Sequence, residues 1–148
     1  MILPDVNVLI YAFRRDSARH AEYRAWLQAV VDGPNAYGVS PQVLAGVIRI
    51  CTHPKIYHQP SPLGETLAFC EALLEPAHST VIHPGDRHWS IFTDLCESSD
   101  VAGNLVHDAW FAALAIEHGC QWISTDADYG RFRGLRWQRP FDESPSPS

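Results

Sequence analysis

Long apolar runs are missing from this chain of 148 residues. The longest unbroken one is the eight-residue stretch Ala109 to Ile116, against the roughly 20 residues needed to span a bilayer. No membrane is therefore expected. The opening MILPDVNVLIYAFRR sets Pro4 and Asp5 inside the would-be apolar segment and its arginines after it. A secretory signal has the reverse order, so the cytoplasm is the expected compartment. The four cysteines (Cys51, Cys70, Cys96, Cys120) include no CxxC, which removes zinc ribbons and thioredoxin chemistry and leaves them as small packing residues. The eight histidines offer no HExxH or HxxxH pair. His78, His83 and His88 recur every five residues, a spacing that does not stack on one helical face, and read as incidental. There is no GxxxxGK[ST] and no GxGxxG, the usual signatures of triphosphate and dinucleotide sites. There is no internal repeat. Positive charge is also scarce: eleven basic against seventeen acidic residues give a net charge of −6. Phosphate binding wants a basic face, so at first sight this argues against a nucleic-acid partner.

What is present is an alternation of short apolar runs with amphipathic stretches. With 46% hydrophobic and 19% charged residues, the composition fits one globular domain able to bury roughly 70% of its unfolded surface. Ile2–Pro4 reads as a buried strand and Val6 to Arg14 as one or two helical turns. Ser17 is a plausible N-cap for a helix over Ala18 to Val31, with Ala21, Ala25, Trp26, Ala29 and Val30 as its apolar stripe. Ala36 to Val39 follows as a strand. Ser40-Pro41 then opens a helix to about Ile50, with proline at the first helical position. A loop covers Thr52 to Ser61, and a helix runs from about Pro62 to Leu74. Thr80 to Ile82 is a third strand. Asp86 is expected to cap a helix to Glu97, and Asn104 one to His118, with Gly119 as its stop. Gln121 to Ser124 and Leu135 to Trp137 complete five strands. Strands separated by helices of 10–15 residues indicate an α/β domain with a parallel sheet covered on both faces. The domain is expected over residues 1–141, and residues 142–148 (DESPSPS) as a disordered tail.

In open parallel sheets, ligands bind beyond the carboxyl ends of the strands where strand order reverses. Acidic residues at three places bear on that crevice if the first and fourth strands are neighbours. Asp5 follows the first strand, Asp126 and Asp128 follow the fourth, and Asp108 sits in the first turn of the helix leading into the fourth. The i+3, i+4 and i+7 neighbours of Asp108 are Phe111, Ala112 and Ala115, so this carboxylate lies on an apolar face. Alone, each has an ordinary explanation as a turn, cap or dipole partner. Together, they cannot share a pocket in the ionised state without a counter-charge. A hard divalent cation, Mg²⁺ or Mn²⁺, supplies it through oxygen ligands.

The order Asp5 with Asn7 (D-x-N), Asp108 in NLVHDA, TDAD and the closing GLRWQRPF resembles the PIN domain, and in particular the VapC-type toxins of bacterial toxin–antitoxin pairs. The resemblance spans roughly residues 1–141. It implies a Rossmann-like parallel sheet of order 3-2-1-4-5, a Mg²⁺- or Mn²⁺-dependent endoribonuclease, and neutralisation by a small cognate antitoxin. It also implies that Asp5, Asp108 and Asp126 are metal-ligating carboxylates, that Asp128 is a further acidic member, and that Asn7 and Thr125 orient them. One departure stands out. The family pattern V-L-x-E-x-x-R is here Val43-Leu44-Ala45-Gly46-Val47-Ile48-Arg49, so Gly46 replaces the family's glutamate. Glycine at mid-helix costs about 1 kcal/mol against alanine, so Gly46 marks a close approach of backbone or ligand and a thinner metal site. Arg49 and Thr52-His53-Pro54 resemble a subgroup of these toxins that lacks the glutamate.

The expected reaction is hydrolysis of a phosphodiester in structured RNA, leaving a 5′-phosphate and a 3′-hydroxyl. Arg14 and Arg15, just past the first strand, read as contacts to RNA phosphate or antitoxin. Arg19, Arg24, Arg131, Arg133, Arg136 and Arg139 are further candidates for steering RNA. Trp110, Trp122 and Trp137 read as core. Apolar faces around Tyr11, Phe13, Trp26 and Leu44 suggest a homodimer and a partner peptide. Two other readings compete: a binding module without turnover that acts through antitoxin and DNA, and a phosphatase with Asp5 as nucleophile. The latter wants D-x-D, where this chain has Asn7.

Overall fold

The computed structural model describes residues 1–141; the tail expected at 142–148 lies outside them. The elements are β1 (Ile2–Pro4), α1 (Val6–Phe13), α2 (His20–Asp32), β2 (Tyr37–Val39), α3 (Pro41–Cys51), α4 (Leu63–Leu74), β3 (Ser79–Val81), α5 (His88–Ser98), α6 (Leu105–Glu117), β4 (Gln121–Ile123), a 3₁₀ turn (Ala127–Arg131) and β5 (Trp137–Gln138). The strands form one sheet ordered β3-β2-β1-β4-β5, and every pairing is parallel. This is the expected fold class, and it sets β1 and β4 side by side. Their register pairs Ile2 with Gln121, Leu3 with Trp122 and Pro4 with Ile123. Among the described residues no helix is long and apolar enough to cross a membrane.

Local chemistry fixes several element ends. The Ser40 Oγ accepts from the Val43 N–H at 3.3 Å, and Pro41 takes the first helical position of α3. Gly119, at φ 64°, takes the left-handed conformation that ends α6. Alanines 109, 112, 113 and 115 of α6 are fully buried, small enough to bring that helix close to its neighbours. Phe111 stacks on the buried Trp122 with ring centroids 5.4 Å apart. Three of the cysteines are buried and all four are free thiols, in keeping with a packing role.

Some expected elements differ. The Ser17 hydroxyl does not cap α2; the helix begins at His20 after Arg19, whose φ is 58°, and has no side-chain cap. Its buried face is Tyr23 and Leu27, while Ala21, Ala25 and Ala29 are exposed. Burial favours the larger apolar area, and Tyr23 packs edge-on against Tyr11 at 5.1 Å. Strand β3 starts one residue earlier than expected and β5 two residues later. Asn104 is at the N-cap of α6 but makes no capping bond. The histidines are not incidental: ring nitrogens of His20, His78, His88 and His118 hydrogen-bond the carbonyls of Tyr11, Val31, Trp110 and His83.

Asp86 does not cap α5, which has no side-chain cap; instead the turn leading into the helix is held from the far end of α6. The Glu117 carboxylate accepts from Gly85 N–H at 2.7 Å and Arg87 N–H at 2.9 Å, and the Arg87 guanidinium donates to the Glu117 carbonyl at 2.8 Å. Glu117→Ala should therefore cost about 1–2 kcal/mol in urea unfolding, as loss of such hydrogen bonds does. Asp86→Ala should stay within about 0.5 kcal/mol, the usual range for surface changes.

Candidate active site

The site lies where β1 and β4 end. Extending their register by one residue sets Asp5 opposite Ser124, and the Asp5 N–H continues the ladder to the Ile123 carbonyl at 2.8 Å. Asp5 also caps α1: its Oδ1 accepts from the Val6 N–H at 2.7 Å. The other carboxylate oxygen accepts from the Ser124 hydroxyl at 2.6 Å. That hydroxyl oxygen in turn accepts from the Asp126 N–H at 3.1 Å and from the Asn7 amide at 3.4 Å. One fully buried serine thus ties three of the expected site residues together. The orienting hydroxyl is that of Ser124, one residue before Thr125. The register decides between them, because in a parallel pair only alternate residues face the same side.

Asp126 caps the 3₁₀ turn by accepting from the Asp128 N–H at 2.9 Å. The turn brings up the buried Tyr129, whose hydroxyl donates to Asp108 at 3.3 Å. Burial and the neighbouring carboxylates push the Tyr129 phenol well up, so it remains a protonated donor. Tyr129 and Ser124 are the two site residues that sequence reasoning missed. A hydroxyl at a strand end was a visible signal, whereas Tyr129 reads as one more core aromatic.

Oxygen atoms of Asp108, Asp126 and Asp128 lie within 4.8 Å of one another. Asp5, expected as a metal ligand, is not one of this trio, but its carboxyl feels the charge of Asp108 and Asp126. Burial pushes the Asp5 carboxyl from 3.8 up to about 6, against the pull of the Ser124 and Val6 bonds, and Asp108 and Asp126 push the same way. Asp108 is likewise raised, by burial first and by Asp126 next. All the donors are hard oxygens, the set that suits Mg²⁺ or Mn²⁺. The Oδ1 of Asn7 is buried without a hydrogen-bond partner. Gly46 faces the start of α1: a Cβ there would sit 3.1 Å from the Val6 Cγ2. The close approach expected at this glycine is therefore to a side chain, and a glutamate could enter only if Val6 moved.

Arg14 is not available to a phosphate. It is 8% exposed, and its guanidinium donates to both oxygens of Asp16, to the Ser61 hydroxyl and to the Gln59 carbonyl. Its flat face lies 3.5 Å from the centre of the Tyr57 ring. It anchors the 52–61 loop to the end of α1. Arg15 is exposed. Trp122 is buried, while Trp110 and Trp137 are half-buried, with their indole N–H groups on Gln42 and on the Ser124 carbonyl.

The raised Asp5 has a sign that can be tested. Between pH 4 and 6 the folded state keeps a proton that the unfolded state has lost. Stability without metal therefore falls as pH rises through that window, and the loss persists above it. A shift of this size corresponds to about 3 kcal/mol. Without metal, Asp5→Asn should gain on the wild type by up to that amount between pH 4 and 7, read by urea unfolding. A gap independent of pH would mean that Asp5 titrates normally.

Comparison with known proteins agrees with this geometry. The PIN domain family model matches residues 2–135. The VapC ribonuclease Mb2897 of Mycobacterium bovis is 38% identical over 142 residues, 96% of this chain and 97% of that protein. Ribonuclease VapC31 of Mycobacterium tuberculosis is 36% identical over 140 residues, 95% and 99% of the two chains. Among solved structures, VapBC2 from Rickettsia felis, bound to a DNA fragment from their promoter, has a TM-score of 0.68 at 17% identity, covering 94% of this chain and 98% of that one. VapC20 of Mycobacterium tuberculosis, a sarcin–ricin loop cleaving toxin, has 0.63 at 16%, covering 91% and 98%. With its fold, its strand-end carboxylates and these relatives, the chain belongs to the PIN domain family, alongside the VapC ribonucleases.

Proposed function

We propose that this protein is a Mg²⁺- or Mn²⁺-dependent endoribonuclease toxin that hydrolyses phosphodiester bonds in structured RNA and is neutralised by a small antitoxin. The observation that carries this reading is the oxygen trio of Asp108, Asp126 and Asp128, whose charge reaches Asp5. Asp108, Asp126 and Asp128 would hold the ion, with Asp5 completing the negative field. When bound, the ion supplies Lewis-acid polarisation of the phosphate and acidifies a water. Asp126 or Asp128, both more open than Asp5, would accept a proton from the attacking water and return it to the ribose 3′-oxygen as the bond from phosphorus to that oxygen breaks, leaving a 3′-hydroxyl and a 5′-phosphate. Tyr129 fixes the rotamer of Asp108. Ser124 and Asn7 fix Asp5 and, through its N–H, the Asp126 backbone.

Two partner surfaces belong to the same reading. A groove of about 820 Å³ runs between the end of α1, α2 and α4, with Phe13, Leu27, Phe69 and Leu73 on its floor and Arg15 and Arg24 at its walls. An amphipathic antitoxin segment with acidic flanks suits it. Of the residues expected to form a homodimer face, Leu44 is core, Tyr11 packs on Tyr23 and Phe13 on Phe69. The exposed Trp89 of α5 and Val106 of α6 offer the better surface for a second copy. Action in the cytoplasm completes the reading.

The test is cleavage of total RNA by antitoxin-free protein in Mn²⁺, with mapping of 5′-phosphate ends. Asp108→Ala and Asp126→Ala should each lose at least about 100-fold in rate. Mn²⁺ should raise the melting temperature of the wild type but of neither variant. Cleavage unchanged in both variants would mean the site is elsewhere. A wild type that cleaves no RNA yet binds an antitoxin would favour a binding module.

A further inference from the structure

We propose that Arg131 is a substrate-binding residue, whose guanidinium moves from Asp128 to the scissile phosphate of the RNA. This rests on the ribonuclease reading above and adds the cation that reading lacks. Four carboxylates around one divalent ion leave a surplus of negative charge, and a phosphodiester must approach it as an anion. Attack by water then adds a further negative charge to the phosphoryl group. A cation at the rim is needed on both counts, most of all in the transition state.

Two of the arginines expected to do this from sequence, Arg14 and Arg136, are committed elsewhere, as is Arg87. Arg14 is buried among Asp16, Ser61 and Gln59. Arg87 donates to the Glu117 carbonyl, and Arg136 to that of Gly119, at the end of α6 away from the site. Arg131 is placed differently. It closes the 3₁₀ turn that carries Asp128, and its Nη2 lies 3.3 Å from the Asp128 Oδ1. Asp128 is one of the three clustered carboxylates. The charge of Arg131 also reaches Asp108, where it favours the ionised form.

Two features suit this arginine to a change of partner. Its carboxylate contact is solvent-exposed on both sides, so it is weak and readily exchanged. Its Nε makes a separate bond, to the Asp128 carbonyl at 3.2 Å. That bond tethers the side chain beside the cluster while the Nη edge turns to a new acceptor. The planar fork of arginine fits two phosphate oxygens, which a lysine ammonium does not reproduce.

The experiment compares wild type, Arg131→Ala and Arg131→Lys as full-length, antitoxin-free protein. RNA cleavage gives kcat and KM, and calorimetric titration with Mn²⁺ alone gives metal affinity. Arg131→Ala should lose roughly 100-fold in kcat/KM while its Mn²⁺ affinity holds or rises a few-fold, because a competing cation has left Asp128. Arg131→Lys should recover KM more than kcat. Two results would overturn the proposal with the ribonuclease reading intact. Cleavage unchanged in Arg131→Ala would leave the residue without a role. A fall in Mn²⁺ affinity in step with activity would make Arg131 a positioning residue for Asp128. A wild type that neither binds Mn²⁺ nor cleaves RNA would overturn both readings, and its own inactivity separates that outcome from the other two.

Discussion

The site depends on a single hydroxyl. Ser124 donates to Asp5 and accepts from Asn7 and Asp126, so one oxygen atom links the side chains at the end of β1 to the backbone beyond β4. A buried carboxylate is tolerated only when its lone pairs are used. Asp5 meets that condition with two short bonds, one to the next strand and one to the first N–H of its own helix. The same burial that makes those bonds strong keeps the acid half-protonated near pH 6. Asp5 is thus firmly held and yet resists ionisation. A cation close to it relieves both the repulsion and the desolvation.

Gly46 shows how the rest of the fold adjusts to that anchor. Capping by Asp5 fixes the start of α1, and so fixes Val6, which fills the space that a side chain at position 46 would occupy. The absent glutamate and the close packing of α1 on α3 are therefore one structural fact. A chain that packs these helices at a glycine gives up a carboxylate that the family pattern supplies. The acids that remain come from α6 and from the 3₁₀ turn after β4. The turn presents Asp126 and Asp128 together, where a single acid at the end of β4 would leave Asp108 with one partner.

Much of this was legible in the sequence, because the signals were local. Ser40-Pro41, Gly119 and the short apolar strands each determine their own conformation. The helix-separated strands indicated a parallel sheet, and the strand order came from the family resemblance alone. What escaped was set by contacts between distant segments. The turn before α5 is held by Glu117, about thirty positions away, which no local pattern can reveal. The buried face of α2 is chosen by Tyr11 and by the larger apolar surface of Tyr23, not by the run of alanines. The choice between Ser124 and Thr125 needed the register of β1 against β4. One residue of shift moves a side chain to the opposite face.

The net charge of −6 takes on a specific meaning once the charges are placed. Asp5, Asp108, Asp126 and Asp128 account for four of the seventeen acids, and Asp142 and Glu143 lie beyond the described residues. The eleven acids that remain equal the eleven basic residues in number. The imbalance is therefore concentrated where a divalent cation would neutralise part of it, and the rest of the surface is not repulsive to RNA. It is not strongly attractive either, since Arg14 is spent on the fold. On the reading proposed above, RNA binding would rely on a few contacts at the site and on the shape of the RNA, and would be weak, metal-dependent and salt-sensitive. Without an ion, the clustered carboxylates of Asp108, Asp126 and Asp128 would repel a phosphodiester, so on that reading the metal would govern access as well as chemistry.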